Sequence, residues 1–278
     1  MLCLSALCFV NAGGRDHFWW MTGDFGACWM PHHLMETGIK IVHFGMSGAN
    51  LNWRQGYKGE SLHPEYACYL PERDIMATPV IPTLFPNSGK SMELFKKIKD
   101  KHGKDGLIRP ILFFFAGGIR DNDPSYSGSA RQVLVAALKG HNYSDVLVAT
   151  GAIMGYNEKF LSAQFCFSPY GSGWGLRLVI SLLHACIPVI VQDHVWQPFE
   201  ELLPYPEFSV RLRVQDIPNL VPILRSYRVE ELDTMRFALA KHWSAFLWPR
   251  GSGGSAYNYT LAALRKRLHN LASEYYLR

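Results

Sequence analysis

FCFSPYGSGWGLRLVISLLHACIPVIVQDHVWQPFEELLPYPEF, residues 165–208, is the stretch whose reading decides the fold. Its order is strand, glycine-rich turn, helix, strand and acidic loop. The apolar run 165–168 reads as a buried strand, 176–185 as a helix and 187–191 as a second strand. Between them lies Pro169-Tyr170-Gly171-Ser172-Gly173-Trp174-Gly175. Glycines in such a turn let backbone N–H groups approach an anion, and a following helix N-terminus adds about half a positive charge. Arg177, in the first helical turn, offers a fork of donors to a diphosphate. Acids soon after a strand's carboxyl end, here Asp193, Glu200 and Glu201, suit ribose hydroxyls. The plainer alternative is that 171–175 is only a turn and Glu200 only a helix cap. No GxGxxG follows a first strand and no GK[ST] follows the turn, so neither a dinucleotide fingerprint nor a P-loop is present.

Upstream, Ile-Leu-Phe-Phe-Phe at 111–115 is an all-apolar strand of the kind a parallel sheet covers on both faces. Gly117-Gly118-Ile119-Arg120 turns away from its carboxyl end, so Arg120 is a second cation for a diphosphate. Helix 129–139 (Val133, Leu134 and Leu138 inward), strand 146–149 and helix 156–163 lead into the opening stretch. Strands alternating with helices at this spacing predict βαβ units and a mostly parallel sheet. Downstream, 208–214 alternates like a strand, Asp216 caps a helix, 229–248 is a longer helix and 256–276 a final amphipathic one.

The first hundred residues are less regular. FWWMT at 18–22 reads as a short buried strand with polar residues at both ends, His17 before it and Asp24 after it. Those two are candidates to face a cleft; the alternatives are a satisfied core histidine and a turn cap. A strand at 39–44, an extended segment at 74–82 and a helix at 91–101 follow. The Gly/Lys/Asp run 102–106 marks a boundary. The expected division is 1–107, 108–250 and a C-terminal helix at 251–278.

The 278 residues suffice for a sizeable core, and 48% hydrophobic with 18% charged residues argues against disorder. A net charge of +5 with scattered basic residues suits a small anion and gives no reason to expect nucleic acid. No apolar run reaches about 18 residues, and the short apolar stretch 1–10 lacks a basic flank, so it reads as a buried element. Cys166 and Cys186 lie in apolar runs and read as buried free thiols; Cys28 and Cys68 lie in loop contexts that permit pairing. Asn142-Tyr143-Ser144 and Asn258-Tyr259-Thr260 are glycosylation sequons, a slight pointer to a secretory compartment. Asp121-Asn122-Asp123 has the form of a DxD metal motif but sits in a turn-rich loop, and Pro31-His32-His33 lacks companion ligands. The sequence therefore requires no cofactor, with a divalent Mn or Mg the one that DxD would take.

At these residues the chain resembles the exostosin-type glycosyltransferases. The resemblance runs through Gly14-Arg15-Asp16-His17-Phe18, Asp24-Phe25-Gly26-Ala27-Cys28, Phe115-Ala116-Gly117-Gly118-Ile119-Arg120, residues 156–168, Gly173-Trp174-Gly175-Leu176-Arg177, Cys186-Ile187-Pro188-Val189-Ile190 and Pro198-Phe199-Glu200. It implies two Rossmann-like domains facing across a cleft (GT-B type), the donor on the C-terminal one. It implies an inverting transfer from a UDP-sugar to a glycan acceptor in the Golgi lumen. The base that deprotonates the acceptor hydroxyl is then Asp24 or His17. The donor is held by Gly118, Arg120, Ser168, Gly171, Ser172, Gly173, Trp174, Arg177, Asp193, Glu200 and Glu201, and Cys28–Cys68 is a family disulfide. Members carry a stem, a membrane anchor and further strands before the Gly-Arg-Asp-His motif, so an incomplete acceptor-side domain is expected here. Membrane association would come only through such an anchor, and homo- or hetero-oligomers both remain open. The alternative from another class is an inactive glycan- or nucleotide-sugar-binding protein on the same fold.

Overall fold

A computed structural model describes residues 14, 17–31, 34, 37–47, 68–81, 88–123 and 125–276. Arg15, Asp16, His32, His33 and the apolar stretch 1–10 lie outside the described residues.

The first half holds β1 (Phe18–Met21), β2 (Ile39–Val42), β3 (Gly45–Met46) and β4 (Ile75–Met76). Strands β1, β2 and β4 form a parallel sheet in that order, with Phe18 opposite Ile39 and Ile41 opposite Ile75. The central strand β2 is buried on both faces. The expected burial of 18–22 is corrected: β1 is an edge strand, with Phe18 and Trp20 exposed on its open face.

Helix α1 (Ser88–Asp100) leads to the second half. There follow β5 (Ile111–Gly117), α2 (Ala130–Leu138), β6 (Val146–Thr150), α3 (Tyr156–Ser162), β7 (Ala163–Ser168), α4 (Arg177–Leu183), β8 (Ile187–Ile190) and β9 (Val195–Trp196). The chain ends through α5 (Tyr205–Phe208), β10 (Val210–Arg211), α6 (Leu220–Arg225), α7 (Val229–His242) and α8 (Ala256–Tyr276). The order β10-β8-β7-β5-β6 is parallel throughout. Side-chain parity divides its core. Phe113, Phe115, Phe165 and Phe167 face the layer of α2 and α6. Phe114, Ala116 and Cys166 face Phe160 of α3 and Ile180 of α4. Each fully buried Phe contributes about 1.5–3 kcal/mol, so the all-apolar run in β5 is a main anchor of the fold.

In chain order this sheet reads 2-1-3-4-5, a doubly wound arrangement. Winding reverses between β5 and β7, and their carboxyl ends open a crevice there.

Three features tie the halves. β3 pairs antiparallel with β9, Gly45 opposite Trp196, where a Cβ on Gly45 would lie 3.1 Å from Trp196. Helix α1 packs on α7, with Phe95 stacked on Trp243 at 5.0 Å and the Ser91 hydroxyl donating to Leu183 O at 2.9 Å. Helix α8 crosses back: Arg267 Nη2 donates to Pro71 O at 2.7 Å, to Asp74 O at 2.9 Å and to the Glu201 carboxylate at 3.1 Å. Beneath it, buried Lys40 and Asp74 pair at 3.6 Å.

Two readings need correction. Cys166 and Cys186 are not free thiols but a disulfide, with Cα atoms 5.8 Å apart. Cys166 pairs in register with Pro188, so Cys186, two residues back, falls on the same sheet face. Cys28 and Cys68 are also bonded, as the resemblance implied. Residues 208–214 form only the two-residue β10. The Ser209 hydroxyl and N–H turn back onto Tyr205 O, and Asp216 accepts the Arg213 N–H at 2.8 Å, which starts a 3-10 turn.

Candidate functional site

The crevice between β5 and β7 is crowded with guanidinium groups. Arg120 follows β5 in a left-handed conformation, φ 58°. Its Nη1 donates to Ser172 Oγ at 3.2 Å, and the group lies 4.4 Å over the Tyr126 ring. Arg131, from the first turn of α2, is 1% exposed. It donates to Gly118 O (2.9 Å), Tyr126 Oη (2.7 Å) and Tyr170 O (2.9 Å), pinning three loops at once. Arg177 donates to Ala116 O at 2.8 and 3.3 Å, at the end of β5. Both Arg131 and Arg177 sit over Phe115, at 5.7 and 5.2 Å.

Buried charges are ordinarily neutralised by partners. Among the described residues, no carboxylate forms an ion pair with Arg131 or Arg177; Asp123 lies 3.8 Å from Arg120. Burial, followed by the like charge of Arg177, pulls the Arg131 guanidinium down to about 10. Three cations with one partly exposed carboxylate make a site that favours an anion. Ser127, Gly128 and Ser129 all take positive φ (59°, 56° and 68°) just before α2, and the Ser127 N–H donates to Gly171 O at 2.8 Å. That strained bend holds the two loops together.

Asp24 arrives from the other half, after β1. Its main-chain O accepts the Trp174 N–H at 3.0 Å, and its carboxylate accepts the Gly173 N–H. A Cβ on Gly173 would lie 1.7 Å from Asp24 O, so only glycine permits the approach. Burial raises the Asp24 pKa above the ordinary carboxylate value; the Gly173 hydrogen bond and the Arg120 charge oppose this. Alongside, buried His43 has Nδ1 3.1 Å from Ala77 O and packs edge-on to Trp174, and burial holds its pKa down.

The exostosin GT47 domain matches residues 6–227. The chain belongs to the exostosin GT47 family, a family of glycosyltransferases. It is 28% identical over 273 residues to the probable β-1,4-xylosyltransferase IRX10 of Arabidopsis thaliana, covering 94% of this chain and 60% of that protein. It is also 28% identical to the probable glucuronosyltransferase GUT1 of Oryza sativa subsp. japonica, covering 92% and 58%. The probable glucuronosyltransferase 47 A of Physcomitrium patens gives 28%, covering 94% and 56%. The chain thus spans less than two thirds of the length of these curated relatives.

Of the residues expected to serve an exostosin GT47 donor site, the structure brings together Gly118, Arg120, Gly171, Ser172, Gly173, Trp174 and Arg177, with Asp24 opposite. It gives the glycine turn an additional job. The N–H groups of Gly173 and Trp174 go to the Asp24 carboxylate and Asp24 O and seal the two halves, while the Gly171 N–H closes the turn on Gly173 O. The helix after them starts only at Arg177 and runs seven residues.

Others lie apart. Ser168 is fully buried, its hydroxyl 3.3 Å from Ser181 Oγ. Asp193 accepts the Val214 N–H at 3.3 Å. The Glu200 carboxylate takes the Gln197 N–H at 2.7 Å and the Arg211 guanidinium. Glu201 turns inward to Arg267. His17 precedes β1 and Asp24 follows it, so the two stand at opposite ends of the strand and cannot share the cleft at the carboxyl ends. Asp123 accepts the N–H groups of Ser125 and Tyr126 as a turn residue, and Asp121 is exposed. Among the described residues no group of three or more His, Cys, Asp or Glu gathers as a metal site.

Arg131, Tyr126 and His43 were not picked out by the residue pattern. The signal for Arg131 was present: it lies three residues before Leu134 and seven before Leu138, on the inward stripe of α2, where a charge needs a reason.

Proposed function

We propose that this chain carries the donor side of an inverting glycosyltransferase that moves a sugar from a UDP-sugar to a glycan acceptor. The observation that carries the reading is the guanidinium cluster at the β5/β7 switch point, with two of its three charges lacking a carboxylate. The donor diphosphate supplies the missing negative charge. Arg120, the most exposed of the three, contacts the phosphate oxygens directly, and Arg131 and Arg177 hold the loops and add field.

Asp24 faces this cluster from the acceptor side. Its carboxylate takes the proton of the acceptor hydroxyl as that oxygen bonds to the anomeric carbon. The carbon–oxygen bond to the diphosphate breaks on the opposite face, and UDP leaves with the electron pair. A raised pKa makes Asp24 a stronger base than a solvated aspartate. His17, at the far end of β1, takes no part in this step.

Xylose and glucuronic acid are the sugars to try first, since the relatives are named for their transfer. Polysaccharide synthesis, such as that of a plant cell wall, is the corresponding role. The two disulfides support an oxidising compartment, which we assign to the Golgi lumen. Among the described residues no helix is long and apolar enough to cross a membrane.

The test is a screen of UDP-sugars for enzyme-dependent UDP release, with and without chelator, alongside thermal shift with UDP. A ligand at 100 times its Kd stabilises by about 2.7 kcal/mol. Failure of UDP to raise the Tm, with Arg177→Ala also changing nothing, would overturn the site. UDP binding with no transfer of any donor would favour an inactive binding protein on this fold.

A further inference from the structure

The two glycosylation sequons meet very different surroundings. Asn258-Tyr259-Thr260 lies in the first turn of α8. Thr260 is 2% exposed, and its hydroxyl donates to Ala256 O at 2.9 Å. The hydroxyl that a glycan-transferring enzyme must read is therefore locked inside a helix.

Asn142-Tyr143-Ser144 lies in the non-helical connection between α2 and β6. Asn142 and Ser144 are exposed, and neither side chain is bonded to another described residue. The residue between them does the anchoring. Tyr143 stacks on His141, with ring centroids 5.3 Å apart and planes 9° from parallel, and lies 5.2 Å beneath the Arg225 guanidinium. Arg225 is fixed in turn by Asp145 at 3.0 Å. The loop is thus held by its middle while the acceptor amide and the hydroxyl face solvent. A groove of about 450 Å³, lined by Leu138, His141, Tyr143, Val146 and Val148, runs beside it. Sugars attached at Asn142 displace nothing in the core. Among the described residues β6, which the loop enters directly, is the outermost strand of its sheet, and bulk beside such an edge hinders its pairing with another chain.

We propose that Asn142 carries an N-linked glycan and that Asn258 in the folded protein does not. The inference rests on the luminal assignment above. The donor is a polyprenyl-diphosphate-linked oligosaccharide, supplied by the membrane machinery that modifies sequons. The Asn142 Nδ2 bonds to the anomeric carbon, the carbon–oxygen bond to the diphosphate breaks, and one amide proton leaves to the transferase's base.

The experiment expresses the whole chain behind a cleavable secretory leader in a eukaryotic host, so that it enters the lumen whatever its own address. The expected product has one glycan, removed by peptide:N-glycosidase and located by peptide mass at Asn142. Asn142→Gln and Ser144→Ala each abolish the shift, Ser144→Thr keeps it, and Asn258→Gln leaves it unchanged. A protein with both disulfides formed but no glycan at Asn142 overturns the inference, as does a shift that only Asn258→Gln removes. Because the leader guarantees luminal entry, either failure leaves the donor-site reading standing; that reading falls only to the UDP experiments.

Discussion

Gly173→Ala is the substitution that best tests how the two halves are joined. The added methyl would sit 1.7 Å from Asp24 O, a backbone atom that has no rotamer to escape into. Reaching an ordinary contact requires the seam to open by more than an ångström. Two hydrogen bonds then fail. The Trp174 N–H bond to Asp24 O, now 3.0 Å, accounts for about 1 kcal/mol, and the Gly173 N–H against the half-exposed Asp24 carboxylate for about 1 kcal/mol once solvent screening is counted. Alanine returns about 0.4–1 kcal/mol by restricting the unfolded chain. The expected net loss is about 1–1.5 kcal/mol, or a Tm lower by roughly 2–3 °C for a protein of this size. Gly118→Ala is the matched control, since its Cβ meets nothing within 4 Å. It should melt with the parent or slightly above it. Thermal unfolding followed by near-UV circular dichroism makes the comparison. If Gly173→Ala and Gly118→Ala melt together, the close approach at the seam is not what requires glycine, and the account of the turn is wrong.

Three further outcomes are expected. Arg120→Ala, at an exposed side chain, should change the Tm of the free protein little yet weaken UDP binding roughly 10–100-fold, from a charged hydrogen bond of about 1.5–3 kcal/mol, as read by calorimetry. Asp24→Asn should retain UDP affinity and lose transfer, and in the parent the acid limb of kcat/KM should fall above the ordinary aspartate range, because burial raises this pKa. The stability sign follows: a raised folded-state pKa means Asp24 favours the fold below its unfolded value, and that contribution disappears as pH rises through the raised one. Arg267→Met should cost about 3–5 kcal/mol in a urea titration by stranding Glu201 inside, with Glu201→Gln added to it restoring part of the loss.

Legibility in the sequence followed the physics of each signal. Helix 256–276 was readable to the residue, because amphipathic spacing and the Gly-Ser-Gly-Gly before it are both local. The β5-to-β8 alternation was readable because strands buried on both faces are apolar without interruption. The family resemblance, drawn from dispersed motifs, agrees with the match to residues 6–227. What failed was what depends on partners far along the chain. Cys166 and Cys186 looked inert, since nothing local says that β7 and β8 are neighbours in that register. Phe208-Ser209-Val210-Arg211-Leu212-Arg213-Val214 alternates well, yet hydrogen bonds to Tyr205 and Asp216 clip it at both ends. His17 and Asp24 flank one strand, and only its direction in the sheet shows that they stand at opposite ends. Glu201 directly follows Glu200 and looks the same in sequence; Arg267, 66 residues later, draws it inward.

That last helix also bears on the order of synthesis. The bond from Arg267 to Pro71 O joins residues 196 apart. At roughly 5–20 residues per second, the turn that leads into β4 waits about 10–40 s before the side chain that caps its carbonyls exists. During that interval the buried Lys40–Asp74 pair lacks its cover, and β4 presents a bare face. The first half is made first and finished last, so the nascent chain needs protection for as long as the second half takes to emerge.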